Sequence, residues 1–162
     1  MKLSILITLL NEELVLAQTH KAISEKLDSM LESEELSDYE ILYIDDGSRD
    51  KTLELIDAIA IENHRVKYIS FSRNFGRESG ILAGFKYATG DAVMVMDGDL
   101  QHPPYLIPLF VEAYKEGYDI VSGQRSREGE SMIGSFFARC FYAFSNHSMD
   151  VQLTDGKSEL RL

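Results

Sequence analysis

The chain has 162 residues, of which 44% are hydrophobic and 27% are charged, and its formal net charge is −11. This length suffices for one globular domain with its own core, and the acidity, without any basic stripe, argues against a nucleic-acid partner. Cys140 is the single cysteine, which excludes disulfides and thiolate metal sites. No signal peptide is expected, and no run reaches the roughly 18 apolar residues that a membrane helix requires.

Apolar periodicity predicts strands that alternate with helices along the chain. The predicted strands are residues 3–10, 40–44, 66–71, 92–96, 118–122 and 157–162. The predicted helices are residues 12–31, a helix after residue 50, residues 77–88, residues 105–115 and an aromatic-rich helix at 132–146. Asn11 and Asp50 are the expected caps of the first two helices, and Pro103 and Pro104 start the fourth. The acids between residues 32 and 40 are expected to form a solvated face.

Repeated strand–helix units predict an α/β fold, in which a mostly parallel sheet carries helices on both faces. Right-handed crossovers place the carboxyl ends of the strands at one edge, which is where ligands bind in such sheets. Acids, amides and arginines follow the predicted strands at that edge, whereas the strand interiors are expected to hold no charge. The sequence therefore predicts a polar binding site at the carboxyl edge of the sheet.

The clearest part of that site is the segment VMDGDLQHPP at residues 95–104. Asp97 and Asp99 leave a strand that reads as buried on both faces, and two carboxylates there are costly unless something binds them. A divalent cation is the natural partner, because hard cations take oxygen ligands. The alternative is an ordinary turn, which the neighbouring Gln101 and the two prolines make less favourable. His102 is interpreted as an ordinary loop histidine.

Two further groups at this edge admit two interpretations each. Asp45 and Asp46, which precede Gly47 and Ser48, either cap a turn with their side chains or bind a base or ribose. Arg77 begins a predicted helix, where a cation is slightly unfavourable, and this favours an anion ligand over a plain surface arginine.

Four segments in order, TLLNEE, YIDDGSRDKT, FSRNFGRESGILAGFKYATGD and VMDGDLQHPP, resemble family 2 glycosyltransferases of the GT-A fold. The resemblance covers most of residues 1–125 and is strongest to the polyprenyl-phosphate branch, which contains dolichyl-phosphate mannose synthase and bactoprenol glucosyltransferase-like enzymes. It implies a Rossmann-like three-layer sandwich. Residues 1–162 would then be a single catalytic domain, the N-terminal part of a longer protein whose interface or membrane helices follow it.

The resemblance also implies an inverting, metal-dependent hexosyltransferase that uses a UDP-sugar or GDP-sugar with Mg²⁺ or Mn²⁺. It implies action at the cytoplasmic face of the membrane, in cell-surface polysaccharide synthesis. The implied acceptor is a polyprenyl phosphate, with a saccharide hydroxyl as the alternative. A homo-oligomer is also considered, because it would bury apolar side chains of residues 132–144.

Site residues follow from the resemblance position by position. The nucleotide-binding residues are Thr8, Glu12, Asp45, Asp46, Arg77 and Asp97. The metal ligands are Asp99 and Gln101, and the catalytic residues are Asp97, Asp99 and Arg125. Relatives usually carry proline and tyrosine where this chain has Thr8 and Leu10, so a different pocket floor is expected.

No side chain stands out as a general base; Asp155 and Glu159 are weak candidates. A phosphate acceptor needs no base, because its second pKa of about 6 leaves it mostly ionised near neutral pH. A sugar-phosphate nucleotidyltransferase would need a glycine-rich basic loop after the first strand. A receiver-type signalling module would need an acidic pair at that same position. The remaining alternative is a nucleotide-sugar-binding fragment without catalytic activity.

Overall fold

The protein is described from a computed structural model that covers residues 1–99, 102–124 and 157–162. Its residues fall into two units, Met1–Val121 with Glu159–Leu162, and Ser122–Ser158. The strands are β1 (Lys2–Leu9), β2 (Asp38–Asp45), β3 (Val66–Ser70), β4 (Ala92–Asp97), β5 (Ser122–Gln124) and β6 (Lys157–Arg161). The helices are α1 (Leu16–Glu32), α2 (Thr52–Glu62), α3 (Arg77–Tyr87) and α4 (Ile107–Lys115), which follows a 3₁₀ turn at Pro104–Leu106.

The first unit is built on a mostly parallel sheet, which confirms the α/β prediction. β3, β2, β1 and β4 lie in that order and are all parallel. β6 then pairs antiparallel with β4, with Arg161 opposite Val95. The register places Thr8 beside Asp97 and Leu9 beside Asp45. Residues from three strands are therefore brought together at the carboxyl edge.

Strands β1, β2 and β4 are buried on both faces of the sheet, which explains their continuous apolar runs. On one face, Ile5 and Ile7 join a large core that includes Ile23 of α1 and Ile107 of α4. On the other face, Leu6, Leu42, Ile44 and Val95 form a smaller core, against which Ile81 of α3 packs. Helices thus cover the two faces, as the repeated strand–helix units predict.

Helix α3 packs closely on the sheet because two of its residues lack side chains. A Cβ atom at Gly84 would overlap the side chain of Leu6, and one at Gly80 would lie 2.9 Å from Cγ2 of Thr8. This close approach sets the position of Arg77 at the start of the helix.

Two predicted boundaries are wrong. Helix α1 begins at Leu16, and Asn11 is not its cap; Asn11 has a φ of 57°, and its Oδ1 accepts a hydrogen bond from the backbone of Arg49. The predicted strand at 118–122 shares only Ser122 with β5. Tyr118 and Ile120 are exposed, so their apolar character does not mark a buried strand. The terminal strand is confirmed by β6.

Glu40 corrects two further predictions, the solvated acidic face and the absence of charge within strands. It lies inside β2, and its side chain is only 2% exposed. Its Oε1 accepts hydrogen bonds from Ser4 Oγ and the backbone of Thr89, and Lys67 of β3 donates to Oε2 at 2.7 Å. A buried charge is tolerated there because it is paired and fully hydrogen-bonded.

Several further predictions fall on residues that the structure does not describe. These are the helix at 132–146, Cys140, Asp155 and the site residues Gln101 and Arg125. Within the described ranges, no helix is at once long and apolar enough to cross a bilayer.

Candidate donor-binding site

A cavity of about 350 Å³ lies at the carboxyl edge of the sheet, between the ends of β1 and β4. We call it the acidic cavity. Six of the predicted site residues line it: Thr8, Glu12, Asp46, Arg77, Asp97 and Asp99. Leu10, Asn74, Gly76 and Gly98 complete much of its wall. Residues that are up to 91 positions apart in the sequence therefore meet because parallel strands end at the same edge.

Helix α1 holds the turn from Asp97 to Asp99 in place through a side-chain hydrogen bond. The buried Thr19 donates a hydrogen bond from Oγ1 to the carbonyl of Gly98 at 2.8 Å. Gly98 is itself buried, and a Cβ atom there would overlap the side chain of Leu9. The two carboxylates consequently stand on a backbone turn that the core holds in place.

Thr19→Val is expected to destabilise the protein by about 1–3 kcal/mol, because valine fills the same space but leaves the buried carbonyl of Gly98 without its donor. Urea unfolding followed by circular dichroism measures this change. Thr52→Val is not a suitable control, because Oγ1 of Thr52 accepts a hydrogen bond from the backbone N–H of Glu12, in the loop after β1. The exposed Ser29→Ala serves instead, and an equal loss in both variants would contradict the assignment.

Arg77 and Asp97 form an ion pair at the rim of the acidic cavity. Nη2 of Arg77 donates to Oδ1 of Asp97 at 2.8 Å, and both side chains are partly buried. Nδ1 of His102 lies 3.1 Å from the other oxygen, Oδ2. Both oxygens of Asp97 therefore face protein groups, whereas Asp99 is exposed to the cavity.

Asp46 organises the loop that leads into α3. Its two carboxylate oxygens accept hydrogen bonds from the backbone N–H groups of Phe75, at 2.7 Å, and Gly76, at 2.9 Å. The next residue, Gly47, has a φ of 77° and packs so closely on the backbone of Arg73 that a Cβ atom would approach it to 2.5 Å. Asp46 thus lines the cavity while it fixes the segment before Arg77.

Asp45 lies outside the acidic cavity and lines an adjoining one of about 450 Å³, between the ends of β2 and β3. It is 1% exposed, and it accepts hydrogen bonds from the backbone of Ser48 and from Oγ of Ser70, both at 3.1 Å. These contacts are those of a carboxylate that caps a turn. Leu10 lines both cavities and is 39% exposed.

The loop after β1 is bonded to the loop before α2, and this fixes the wall that carries Glu12. The contacts are Asn11 N to Ser48 Oγ, Arg49 N to Asn11 Oδ1, Glu12 N to Thr52 Oγ1, Glu13 N to Asp50 Oδ2 and Lys51 N to Glu13 Oε2, at 2.8–3.1 Å. Asp50 also accepts from the backbone of Thr52, the first residue of α2, in partial agreement with its predicted capping role.

The electrostatics of the acidic cavity favour a cation. Burial raises the pKa of Glu12, and the nearby carboxylates of Asp99 and Asp50 raise it further. A positive ion near Glu12 and Asp99 would relieve this repulsion. Among the residues that the structure describes, no group of three or more His, Cys, Asp or Glu side chains converges to hold a metal. The donor set fits Mg²⁺ or Mn²⁺ of the kind that one or two carboxylates hold together with substrate phosphates.

Sequence reasoning missed two residues of this site, Thr19 and His102. Thr19 lies in the first turn of α1 and carries no local signal, since only the packing of α1 against the sheet brings it to Gly98. His102 stands within the VMDGDLQHPP segment. Its position next to two prolines, in a motif already assigned to the site, was the available signal.

The family model described as "Glycosyl transferase family 2" matches residues 4–152. The chain belongs to glycosyl transferase family 2. It is 53% identical to the putative glycosyltransferase CsbB of Bacillus subtilis (strain 168) over 125 residues, 77% of this chain and 38% of CsbB. It is 35% identical over its full length to the prophage bactoprenol glucosyl transferase homolog of Escherichia coli (strain K12), covering 52% of that protein. These relatives confirm the resemblance to the polyprenyl-phosphate branch.

Two solved structures confirm the GT-A fold. Glucosyl-3-phosphoglycerate synthase from Mycobacterium tuberculosis, in complex with UDP, matches with a TM-score of 0.64 and 21% identity, over 99% of this chain and 56% of that one. The mannosyltransferase PcManGT from Pyrobaculum calidifontis, in complex with GDP-Man and Mn²⁺, matches with a TM-score of 0.57 and 18% identity, over 68% and 31%. This member of family 2 spans about half the length, or less, of the curated relatives that it matches.

Proposed function

We propose that this chain carries the donor site of a metal-dependent inverting glycosyltransferase, which moves a hexose from a nucleoside-diphosphate sugar to a polyprenyl phosphate. The observation that carries the proposal is the acidic cavity, where Glu12, Arg77, Asp97 and Asp99 meet at the carboxyl edge of a parallel sheet. This edge is where open α/β sheets bind their ligands. An acidic cavity would repel a diphosphate alone, so the proposal requires a cation.

Asp99 is the proposed metal ligand, because it is exposed to the cavity and follows the rigid turn at Gly98. Gln101 would assist it, as the resemblance implies. A divalent cation, when bound, neutralises the negative charge that develops on the departing diphosphate. Arg77 adds positive charge at the same cavity, and Asp97 holds its guanidinium in place through the 2.8 Å hydrogen bond. Arg125 would face the phosphates, again as the resemblance implies.

The base of the nucleotide would lie toward the adjoining cavity of about 450 Å³. Leu10 is the apolar surface shared by the two cavities, so it could pack against the base from one side. Asp45 would act there through the turn that it caps, since Ser48 and Ser70 already contact its oxygens. Thr8 and Glu12 would line the part of the site nearest the ribose and diphosphate.

The acceptor assignment rests on the relatives named bactoprenol glucosyl transferases. It agrees with the absence of an evident general base in the sequence, since an ionised phosphate needs none. Transfer to a saccharide hydroxyl, and nucleotide-sugar binding without transfer, stay open as alternatives. The single catalytic domain over residues 1–162, its action at the cytoplasmic face of the membrane and a homo-oligomeric state also stay predictions.

Calorimetric titration of UDP and of GDP, each with and without Mn²⁺, tests the proposal. One nucleotide is expected to bind at micromolar concentration, with an affinity that falls at least tenfold when Mn²⁺ is withheld. The preferred nucleotide then names the donor class. Absence of binding by either nucleotide, in protein that circular dichroism shows to be folded, would contradict the donor site. Binding without transfer of sugar to a short-chain polyprenyl phosphate would support the non-catalytic alternative.

A further inference from the structure

A histidine that the proposed reaction does not use directly lies beside Asp97, a residue that lines the acidic cavity. His102 is almost fully buried, with a side chain that is 7% exposed. It follows the Asp97–Asp99 turn and precedes Pro103, whose extended backbone leads into the 3₁₀ turn before α4. A buried imidazole ring is expected to contact other polar groups, because burying a polar ring without such contacts is unfavourable.

The carboxylate of Asp97 lies within reach of this ring. Nδ1 of His102 lies 3.1 Å from Oδ2 of Asp97, while Nη2 of Arg77 lies 2.8 Å from Oδ1. The carboxylate is therefore contacted from two sides by groups on different elements, the start of α3 and the loop after β4. A carboxylate offers only acceptor oxygens, so a histidine nitrogen that bonds to it must carry a proton.

The geometry points to His102 as a positioning residue. Its Nδ1 lies 3.1 Å from Oδ2 of Asp97, a close contact that is not an aligned hydrogen bond in this structure. Donation from Nδ1 across this distance would hold the carboxylate in the orientation that directs Arg77 into the acidic cavity. Its effect on nucleotide binding rests on the proposed function, whereas the hydrogen bond itself does not. Outer partners of this kind commonly change the affinity of a polar site by about tenfold to a hundredfold when they are removed.

Two substitutions separate this role from simple space filling. Asparagine can place an amide N–H near the position of Nδ1, whereas leucine fills similar space without any donor. We expect His102→Leu to weaken Mn²⁺-dependent nucleotide binding by about tenfold or more, and His102→Asn to stay within about threefold of the parent chain. His64, which is exposed in the loop before β3, provides matched controls as His64→Leu and His64→Asn. Equal affinity in His102→Leu and the parent chain would overturn the positioning role.

A second measurement decides the hydrogen bond without any nucleotide. Long-range ¹H–¹⁵N correlation spectra of the ¹⁵N-labelled chain report which ring nitrogen of each of the four histidines carries the proton. The signals of His102 are identified by their loss in His102→Asn. A proton on Nδ1 is the expected result, and a bare Nδ1 would overturn the inference. If the parent chain binds no nucleotide, the proposed function fails, and this spectrum still tests the contact with Asp97.

Discussion

Replacing Asp99 with asparagine is expected to lower nucleotide binding in the presence of Mn²⁺ by at least about tenfold. Asp99 is the exposed carboxylate of the acidic cavity, and its neighbour Glu12 has a raised pKa, which marks the negative potential that a cation would neutralise. An amide keeps the size of the side chain but removes the charge that holds a hard cation. The remaining affinity should therefore equal that of the parent chain measured without metal.

Calorimetric titration of the preferred nucleotide, with and without Mn²⁺, measures this effect. Glu32→Gln is the matched control, because it removes one negative charge from an exposed position at the end of α1, away from the cavity. Asp97→Asn provides the informative contrast. Arg77 donates to one oxygen of Asp97 and Nδ1 of His102 lies 3.1 Å from the other, so loss of this carboxylate should also weaken binding in the absence of metal. If Asp99→Asn retained the full response to Mn²⁺, the metal would have to be held elsewhere.

Acid is expected to destabilise the fold through Glu40. Burial alone would raise the pKa of this carboxyl, but hydrogen bonds from Lys67, Ser4 and Thr89 outweigh it and lower the pKa from 4.5 to about 2. The unfolded chain therefore binds more protons than the folded chain between these values. The stabilisation, about 3 kcal/mol, is fully present above pH 4.5 and is lost as the pH falls toward 2.

Glu40→Gln measures this contribution in urea unfolding experiments followed by circular dichroism. Near pH 7 the substitution is expected to cost about 3 kcal/mol, and near pH 3 roughly half of that difference should remain. The exposed Glu35→Gln, five residues earlier, controls for the loss of one negative charge. A difference between Glu40→Gln and the parent chain that does not change with pH would show that the carboxyl is not held in its charged form.

Much of the fold was predictable because its signals are local. Strands buried on both faces read as continuous apolar runs, and β1 and β4 match their predicted ranges to within one residue at each end. The predicted strand at 118–122 failed because Tyr118 and Ile120 are apolar yet exposed, and composition alone cannot distinguish these states. Asn11 failed as a cap because its side chain bonds to Arg49, 38 residues away, rather than to the nearby helix.

The candidate site was predictable in outline for a topological reason. Parallel strands joined by right-handed crossovers end at one edge, so the residues after each strand must gather there. Thr8, Glu12, Asp46, Arg77, Asp97 and Asp99 accordingly line one cavity. The roles of these side chains were harder to predict, because a sequence does not reveal which carboxylate oxygens already accept hydrogen bonds within the protein. Asp45 and Asp46 look alike in the sequence, yet one caps a turn and the other holds the start of α3.

The sequence by itself determined the α/β class, the family and the edge at which the polar residues meet, because apolar period, turn residues and motif order are properties of the chain alone. Only the tertiary structure decided that Glu40 is buried and paired with Lys67, that Thr19 supports Gly98, and that His102 faces Asp97. Each of these contacts joins residues on different elements. Their distances depend on how helices and strands pack, and no local pattern encodes that packing.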